Sequence, residues 1–355
     1  MDMKFSDLDK NFMVNKNVDS ETVVFRNALE EPFDLYGVMH DGEGYCRMPR
    51  EIVETVSENC THLSRNPAGG RLRFKTNSPY IVVKAIMKKH EKRSHISLAA
   101  STGFDCYING RFDGLFSPDP ESAETSYLAV RKYDGFAERE VLFNLPPYNE
   151  LDDLFIGLHK DATLSHGAKY TRTPLPVVFY GSSITQGGCA SRPGMTYQNI
   201  LSRMMDLDYI NLGFAGSARG EENMAKYIAQ LEMSAFVLDY DHNAPTVDWL
   251  RETHKRFFTI VREKHPDIPI IMLSRPTYYS TDDMLRRKDV ILRTYNDAAL
   301  GGDRNVYFID GETLYDSSVK DDATVDTVHP TELGFTCMAK RIYPVLDEAL
   351  RRAGY

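Results

Sequence analysis

The sequence predicts an α/β protein in which an antiparallel, jelly-roll-like β-sandwich precedes a three-layer domain built on a parallel five-stranded sheet. Up to residue 165, short β-branched and aromatic runs alternate with Gly, Pro, Asn and Asp, which is typical of a sandwich. After residue 174, an apolar run precedes a longer amphipathic stretch five times, which is typical of a parallel sheet covered by helices. At 355 residues the chain exceeds the usual size of one domain. We therefore predict two domains, over residues 1–165 and 174–355.

The first domain contains six runs that we predict to be strands. In chain order they are RLRFKTN, YIVVKAIM, HISLAAS, FDCYING, REVLFNL and DLFIGL. Turn signals such as NPAGG, NSPY and NGRFDG separate them, as hairpin connections do.

The second domain contains five predicted β–α units. The strands are PLPVVFY, DYINLG, SAFVLDY, IPIIMLS and NVYFID, and the last helix is TELGFTCMAKRIYPVLDEALRRA. In such sheets, ligands bind beyond the carboxyl ends of the strands. Polar residues that directly follow a strand are therefore the candidates for a functional site.

Composition and charge exclude several classes of function. A net charge of −9 argues against a nucleic-acid or anionic-membrane partner, and we predict that the basic run KKHEKR (88–93) is a solvated turn. The start MDMKFSDLDKNF lacks the features of a signal peptide, and no apolar stretch has membrane-spanning length. The five cysteines have no CxxC spacing, which indicates reduced thiols. We expect a cytoplasmic protein; its sequence is compatible with a homo-oligomer.

Residues after the strands predict a nucleophilic serine site. Ser183 follows the first strand, while Asp326 and His329 lie three positions apart before the last helix. A histidine oriented by a carboxylate can remove the proton of a serine hydroxyl. The developing oxyanion needs aimed donors, and the backbone amides of Ser183 and Gly216 with the Asn243 side chain could supply three.

Four short blocks in this half resemble, in order, the motifs of the SGNH (GDSL-type) hydrolases: GSSITQG, NLGFAG, DYDHN and DTVH. In the first half, EPFDLYGV and GGRLRFKTNSPYIVV look like the small β-sandwich that precedes one subgroup of these enzymes. The resemblance implies the flavodoxin-like SGNH fold and no metal or organic cofactor. It also implies functional roles for a set of five residues: Ser183, Gly216, Asn243, Asp326 and His329.

Two positions depart from the family pattern. The family's Gly-Asp-Ser is Gly-Ser-Ser here, so Ser182 replaces an acidic residue. The glycine usually found two residues before the asparagine is Asp241, which adds a carboxylate near the predicted oxyanion site. Neither departure removes a predicted catalytic group.

Other interpretations of the first block are weaker. Ser183 could be an ordinary helix N-cap. A phosphate-binding loop would need the lysine of GxxxxGK[ST], which is absent. The α/β-hydrolase elbow G-x-S-x-G is not matched, because its fifth position is Thr185. His242 is a rival for the base, although no carboxylate lies three residues before it.

The third and fourth strand ends carry further candidates. Asp239, Asp241 and Asn243 alternate along the chain and could act as oxygen ligands of a divalent cation. Asn243 could instead cap the next helix, although Thr246 is better placed to do so. We predict that Arg275 binds a substrate hydroxyl or carboxylate, with Asp241 shaping the pocket; an ion pair with a neighbouring acid is the alternative for Arg275.

These features predict a serine esterase that removes a short acyl group, acetyl above all, from a carbohydrate or related small alcohol. The carbohydrate is suggested by the appended sandwich, whose aromatic residues could contribute to a rim: Phe104, Tyr107, Phe112 and Phe116. Three alternatives stay open. They are an acyltransferase that uses the same site, a metal-dependent phosphoesterase, and a non-catalytic carbohydrate-binding protein.

Overall fold

The computed structural model describes residues 17, 19–120, 122 and 124–355, so the run MDMKFSDLDKNF lies outside the described residues. Antiparallel sheets occupy the first half of the chain and a parallel sheet occupies the second half. None of the helices in the described ranges has the length and apolar character needed to span a bilayer.

Two antiparallel sheets form the sandwich. One has the strand order β1-β11-β6-β9, and the other has the order β12-β5-β10-β7-β8 with β2 also paired to β5. A short hairpin of β3 and β4 lies beside them. The strands are β1 (Val23–Asn27), β2 (Asp34–Tyr36), β3 (Met39–His40), β4 (Tyr45–Cys46), β5 (Arg71–Thr76), β6 (Tyr80–Met87), β7 (Phe104–Ile108), β8 (Arg111–Phe116), β9 (Ser126–Lys132), β10 (Arg139–Asn144), β11 (Leu151–His159) and β12 (Leu164–His166).

The core of the sandwich comes from inward-facing residues of both sheets. Phe74 and Phe143 of one sheet stack with ring centroids 6.2 Å apart, and Val83 and Ile156 of the other sheet belong to the same buried cluster. All four are fully buried. Each such side chain contributes about 1.5–3 kcal/mol to folding through removal from water. Buried and partly exposed residues alternate along most of β5, as expected of a strand with one face in the core.

One of the six predicted strands of this half is wrong. Within HISLAAS, Leu98–Ser101 forms a helical turn, because the Ser97 hydroxyl accepts a hydrogen bond from the Ala100 amide and caps it. Seven of the described strands were not predicted: β1, β2, β3, β4, β8, β9 and β12. Of these, β1 pairs with β11 and β9 pairs with β6. The three short helices of this half are α1 (Arg50–Val53), α2 (Glu58–Ser64) and α3 (Leu98–Ser101).

The second half forms a parallel sheet with the order β14-β13-β15-β16-β17. The first strand of this domain, β13, therefore lies inside the sheet, which is the flavodoxin-like order. The second strand is added on one side of β13 and the later strands on the other, so the topological switch point lies beside β13. All five residues of β13 are buried because helices cover both faces. The strands are β13 (Val177–Gly181), β14 (Tyr209–Gly213), β15 (Ala235–Asp239), β16 (Ile270–Leu273) and β17 (Val306–Ile309).

The helices pack in two layers against this sheet. One buried cluster joins α5 and α9 to one face, and a second joins α6, α7 and α8 to the other. This confirms the predicted three-layer α/β arrangement. The helices are α4 (Ser183–Gln186), α5 (Tyr197–Met205), α6 (Glu222–Ile228), α7 (Val247–Lys264), α8 (Asp282–Leu300) and α9 (Glu332–Arg352).

Buried arginines join the sandwich to the edge strand β14. Arg47, 2% exposed, donates to the carbonyl oxygens of Asn211 at 3.2 Å and Gly213 at 2.5 Å. Arg71 donates to the carboxylate of Asp208 at 2.7 Å and packs on the Tyr209 ring. Arginines are rarely buried without partners. The two halves therefore share a specific polar interface along β14, with Arg71 at its amino end and Arg47 at its carboxyl end.

Candidate active site

Ser183 lies where β13 meets α4. Gly181 ends the strand, and a side chain there would lie 2.2 Å from Thr185 Oγ1 and 2.3 Å from the Asp239 carbonyl oxygen. The Ser182 hydroxyl accepts a hydrogen bond from the Ile184 amide at 3.2 Å, so Ser182 caps α4 and Ser183 is its first residue. The serine that replaces the family's aspartate thus caps this helix. The backbone geometry holds the Ser183 side chain at the carboxyl edge of the sheet.

Ser183, His329 and Asp326 form one hydrogen-bonded chain. Ser183 Oγ lies 2.8 Å from His329 Nε2, and His329 Nδ1 lies 2.8 Å from Asp326 Oδ2. The Ser183 residue is 8% exposed, while the His329 and Asp326 side chains are about a quarter exposed. This is the arrangement in which a carboxylate orients an imidazole and the imidazole takes the proton of a hydroxyl. The structure brings together the three residues predicted as the triad.

A tight turn holds the carboxylate beside the imidazole. Asp326 Oδ1 accepts hydrogen bonds from the amides of Val328 at 3.1 Å and His329 at 2.7 Å, and Thr327 takes a left-handed φ of 70°. Partial burial alone would raise the pKa of Asp326, but these hydrogen bonds and the one from the His329 ring outweigh it and lower that pKa to about 2. Asp326 is therefore ionised at neutral pH and can stabilise a protonated His329.

The predicted oxyanion donors belong to neighbouring loops. The Gly216 amide, like that of Ser183, makes no hydrogen bond with a described residue. Gly216 has a φ of +66°, which favours glycine, and a side chain there would meet no atom within 4 Å. Asn243 donates one Nδ2 hydrogen to the Phe214 carbonyl oxygen at 3.0 Å, which attaches it to the loop of Gly216. Its second Nδ2 hydrogen is available to a ligand.

Gln186 links these loops to each other and to the sandwich. Its Oε1 accepts from the Ala215 amide at 3.0 Å, and its Nε2 donates to the Pro147 carbonyl oxygen at 3.0 Å. Gln186 is fully buried, so both bonds are shielded from water. Gln186 was not predicted to belong to the site, because a glutamine at a helix end has no distinctive chemical pattern.

The three predicted cation ligands make separate contacts. Asp239 accepts from the hydroxyls of Thr185 and Tyr197 at 3.2 and 3.4 Å, and burial raises its pKa well above the ordinary value. Asp241 Oδ2 accepts from the Arg275 amide at 3.1 Å, and Asn243 contacts Phe214 as described. Among the residues that the structure describes, no group of three His, Cys, Asp or Glu side chains could hold a metal ion.

Arg275 and His242 lie next to this site, and burial lowers the pKa of both side chains. The Arg275 guanidinium makes no hydrogen bond or ion pair with any described residue, and partial burial lowers its pKa. Burial, with Arg275 nearby, also lowers the pKa of His242 to about 3. Nδ1 of His242 is buried without a partner, so this imidazole lacks the orienting carboxylate that His329 has. The predicted contact of Arg275 and Asp241 with substrate stays a prediction.

The predicted aromatic rim is mostly wrong. Phe104 and Phe116 are fully buried in the core of the sandwich, and Tyr107 is 5% exposed, with its hydroxyl accepting a hydrogen bond from Arg192. Phe112 is 48% exposed, although the Arg192 guanidinium covers one face of its ring at 3.9 Å.

Two residues near the triad gave no signal in the sequence. Tyr148 belongs to the turn between β10 and β11 of the sandwich, and Gly188 follows α4. A side chain at Gly188 would lie 3.1 Å from the Tyr148 hydroxyl and 3.2 Å from Cδ2 of His329. Tyr148 is therefore a sandwich residue beside the catalytic domain's histidine.

The Cys189 thiol lies next to Gly188 in the chain. Burial raises the pKa of Cys189 to about 11, so it is a neutral thiol at physiological pH.

Comparison with known proteins assigns both halves of the chain. The model of the GDSL-like lipase/acylhydrolase family matches residues 175–347, and the model of the N-terminal region of SGNH hydrolase-type esterases matches residues 23–164. No curated protein matches the chain.

Solved structures resemble the chain along nearly its whole length. A protein described as a GDSL-like lipase from Bacteroides ovatus ATCC 8483 is 30% identical, with 93% of this chain and 98% of that chain covered and a TM-score of 0.84. A salicylyl-acyltransferase from a tetracycline biosynthetic pathway is 17% identical, with the same coverages and a TM-score of 0.77. A family two carbohydrate esterase from Clostridium thermocellum is 16% identical, with 93% and 99% covered and a TM-score of 0.63. The last two show a shared fold alone. The chain belongs to the GDSL-like (SGNH) lipase/acylhydrolase family and is a carboxylic-ester hydrolase with the N-terminal sandwich of SGNH-type esterases.

Proposed function

We propose that this protein is a serine esterase that removes a short acyl group, acetyl above all, from a carbohydrate or related small alcohol. The observation that carries the proposal is the hydrogen-bonded chain from Ser183 through His329 to Asp326, with both links at 2.8 Å. Hydrogen-bond reach between nucleophile, base and orienting carboxylate is the geometric requirement of this chemistry.

Acylation uses the nucleophile, the base and the oxyanion donors together. Ser183 Oγ attacks the ester carbonyl carbon while His329 Nε2 takes the hydroxyl proton. The amides of Ser183 and Gly216 and the Asn243 side chain donate hydrogen bonds to the oxygen that becomes negative. His329 then gives its proton to the departing alcohol, so the acyl group stays on Ser183 and the alcohol leaves neutral.

Deacylation repeats these steps with water. His329 takes a proton from a water molecule, the hydroxide oxygen attacks the acyl carbon, and the same donors stabilise the second oxyanion. His329 returns the proton to Ser183 Oγ, which releases the carboxylic acid. The ionised Asp326 stabilises the protonated imidazole in both halves of the reaction.

The substrate class is supported by likeness of fold. Family two carbohydrate esterases share this two-domain architecture, one of them in complex with cellohexaose, and an acetyl xylan esterase from Butyrivibrio proteoclasticus is similar with a TM-score of 0.60 at 13% identity. Fold alone does not determine substrate, so the acetyl group and the carbohydrate are parts of the proposal that need their own test.

An acyltransferase is the second candidate, because a similar structure is a salicylyl-acyltransferase. The same acyl-enzyme would then react with an acceptor alcohol instead of water. Incubation of an ester with competing alcohols and analysis of products separates the two, since a transferase gives mainly the new ester at low acceptor concentration.

The proposed function is tested by hydrolysis of p-nitrophenyl acetate by the wild-type protein and by Ser183→Ala, with a chelator present throughout. We expect turnover by the wild type and loss of at least about 10³-fold in the variant. A chain-length series of p-nitrophenyl esters, followed by acetylated sugars, then identifies the preferred acyl group and alcohol. Turnover that is absent, or unchanged in Ser183→Ala, contradicts the serine mechanism.

A further inference from the structure

Tyr148 reaches the reacting end of His329 from the sandwich. A carbon atom added to Gly188 would lie 3.1 Å from the Tyr148 hydroxyl and 3.2 Å from Cδ2 of His329, so both groups border the same small space. Cδ2 is bonded to Nε2, the nitrogen that faces Ser183 Oγ. The Tyr148 hydroxyl and the edge of the imidazole that carries Nε2 therefore both face the space next to Gly188.

The Tyr148 side chain is held in place while its hydroxyl stays unpaired. The residue is 4% exposed, and the Arg93 guanidinium lies over its ring at 5.1 Å. The next residue, Asn149, accepts hydrogen bonds from the Glu91 amide at 3.2 Å and the Arg93 guanidinium at 3.4 Å. The Tyr148 hydroxyl itself makes no hydrogen bond with any described residue, and its oxygen is not sealed from solvent.

The Tyr148 hydroxyl belongs to a buried ring but is open to solvent, so a ligand that enters the site can become its hydrogen-bond partner. Buried polar groups are nearly always hydrogen-bonded, and a site built to bond a substrate hydroxyl rejects analogues that lack it. Burial raises the pKa of Tyr148, so the group is a neutral donor and acceptor at physiological pH. The part of the ester nearest His329 Nε2 is the alcohol, because the leaving oxygen takes its proton there.

We propose that Tyr148 binds a free hydroxyl on the alcohol portion of the ester, next to the ester oxygen, and is a specificity-determining residue that the sandwich contributes to the active site. The proposal rests on the proposed esterase function. The basic run KKHEKR, which we predicted to be a solvated turn, supplies at its end the Arg93 cation that covers the Tyr148 ring. The substrate class is therefore esters of polyols, in which the acylated oxygen has a neighbouring hydroxyl.

The test compares Tyr148→Phe with the wild type on two unactivated esters of the same acid, a glycerol monoester and an ethyl ester. The acid is the one hydrolysed fastest in a Ser183-dependent way in the p-nitrophenyl series. We expect kcat/KM for the glycerol ester to fall about 10-fold, the value of one hydrogen bond, and kcat/KM for the ethyl ester to change by less than about 2-fold.

Tyr45→Phe is the matched control. The Tyr45 hydroxyl is also buried without a partner, but it lies in the sandwich core, so its removal should leave both esters unaffected. Equal losses on both esters in Tyr148→Phe, no loss on either, or a wild type that does not prefer the glycerol ester would overturn the proposal. Failure of the esterase proposal looks different, because Ser183→Ala would then leave hydrolysis of p-nitrophenyl esters unchanged or the wild type would show none.

Discussion

Ser183 Oγ and His329 Nε2 lie 2.8 Å apart although 146 positions separate the two residues in the chain. The contact joins the carboxyl end of β13 to the loop before α9. Asp326, in contrast, reaches His329 within one turn. The hydrogen-bonded chain of Ser183, His329 and Asp326 thus consists of one long-range and one local hydrogen bond. Each bond can be tested separately.

Asp326→Asn should lower kcat for p-nitrophenyl acetate by about 10³–10⁴-fold with little change in KM. The asparagine oxygen can still accept from the amides of Val328 and His329, so the turn persists. Its NH₂ group cannot accept a hydrogen bond from His329 Nδ1–H. The imidazole is therefore no longer held in the tautomer that leaves Nε2 free to accept the Ser183 proton. Asp322→Asn, an exposed position before the same loop, should behave as the wild type. A kcat of Asp326→Asn near the wild-type value would show that Asp326 is not needed to orient His329.

Asp241 should make stability fall with rising pH. Burial raises its pKa from 3.8 to about 6, so between these values the folded protein keeps a proton that the unfolded chain has lost. The free energy of unfolding of the wild type should therefore decrease relative to that of Asp241→Asn from about pH 4 to about pH 6, by on the order of 2–3 kcal/mol. Denaturant unfolding of both proteins across this range measures the difference. A constant or rising difference contradicts a buried, protonated Asp241.

Gly216→Ala should damage activity more than stability. The backbone φ of +66° is unfavourable for alanine and costs about 1–2 kcal/mol, but the space around the position is free of protein atoms. We expect at least a 10-fold loss of kcat, as for an oxyanion donor that is no longer aimed. Gly302→Ala is the control, since Gly302 has a φ of +95° and equally free space. It should lose similar stability and no activity; equal kcat values in the two variants would exclude Gly216 as a donor.

Asn243→Ala should lower kcat by about 10²–10³-fold, the effect of removing one side-chain donor to the oxyanion. The variant also loses the hydrogen bond to the Phe214 carbonyl oxygen, worth about 1 kcal/mol of stability. Asn305→Ala removes a comparable bond to the Asp267 carbonyl oxygen, 2.9 Å long, far from the triad. Thermal unfolding should show similar losses of stability in the two variants. Steady-state kinetics should show a lower kcat for Asn243→Ala only. Full activity in Asn243→Ala would assign this residue to loop structure alone.

Arg47→Met should destabilise the protein by about 3 kcal/mol, because carbonyl groups at Leu63 and Gly213 lose a buried donor. Activity should fall as well, since Gly213 leads into the loop of Gly216. Arg50→Met removes exposed ion pairs from the neighbouring helix α1 and should leave the melting temperature close to that of the wild type. Equal melting temperatures for the two variants would show that the hydrogen bonds of Arg47 to β14 do not stabilise the protein.

Much of the fold was predictable because its signals are local. The five alternating β–α units predicted a parallel sheet, and capping by Thr246 was expected from position alone and is observed. The failed strand in HISLAAS has a local cause too, since Ser97 caps a helical turn in a run of small residues. Strand β9 was missed because its pairing with β6 is a long-range property that the sequence of SYLAVRK does not display.

The sequence by itself determined the chemistry of the candidate site, because an aspartate three residues before a histidine and a serine after a buried strand are short-range patterns. It did not determine which sandwich residues approach that site. Tyr148 and Gln186 lie at contacts between the two halves, where the turn between β10 and β11 packs against α4 and the residues after it. Only the tertiary structure decided those contacts, since packing between surfaces distant in sequence depends on the complementary shape and charge of both.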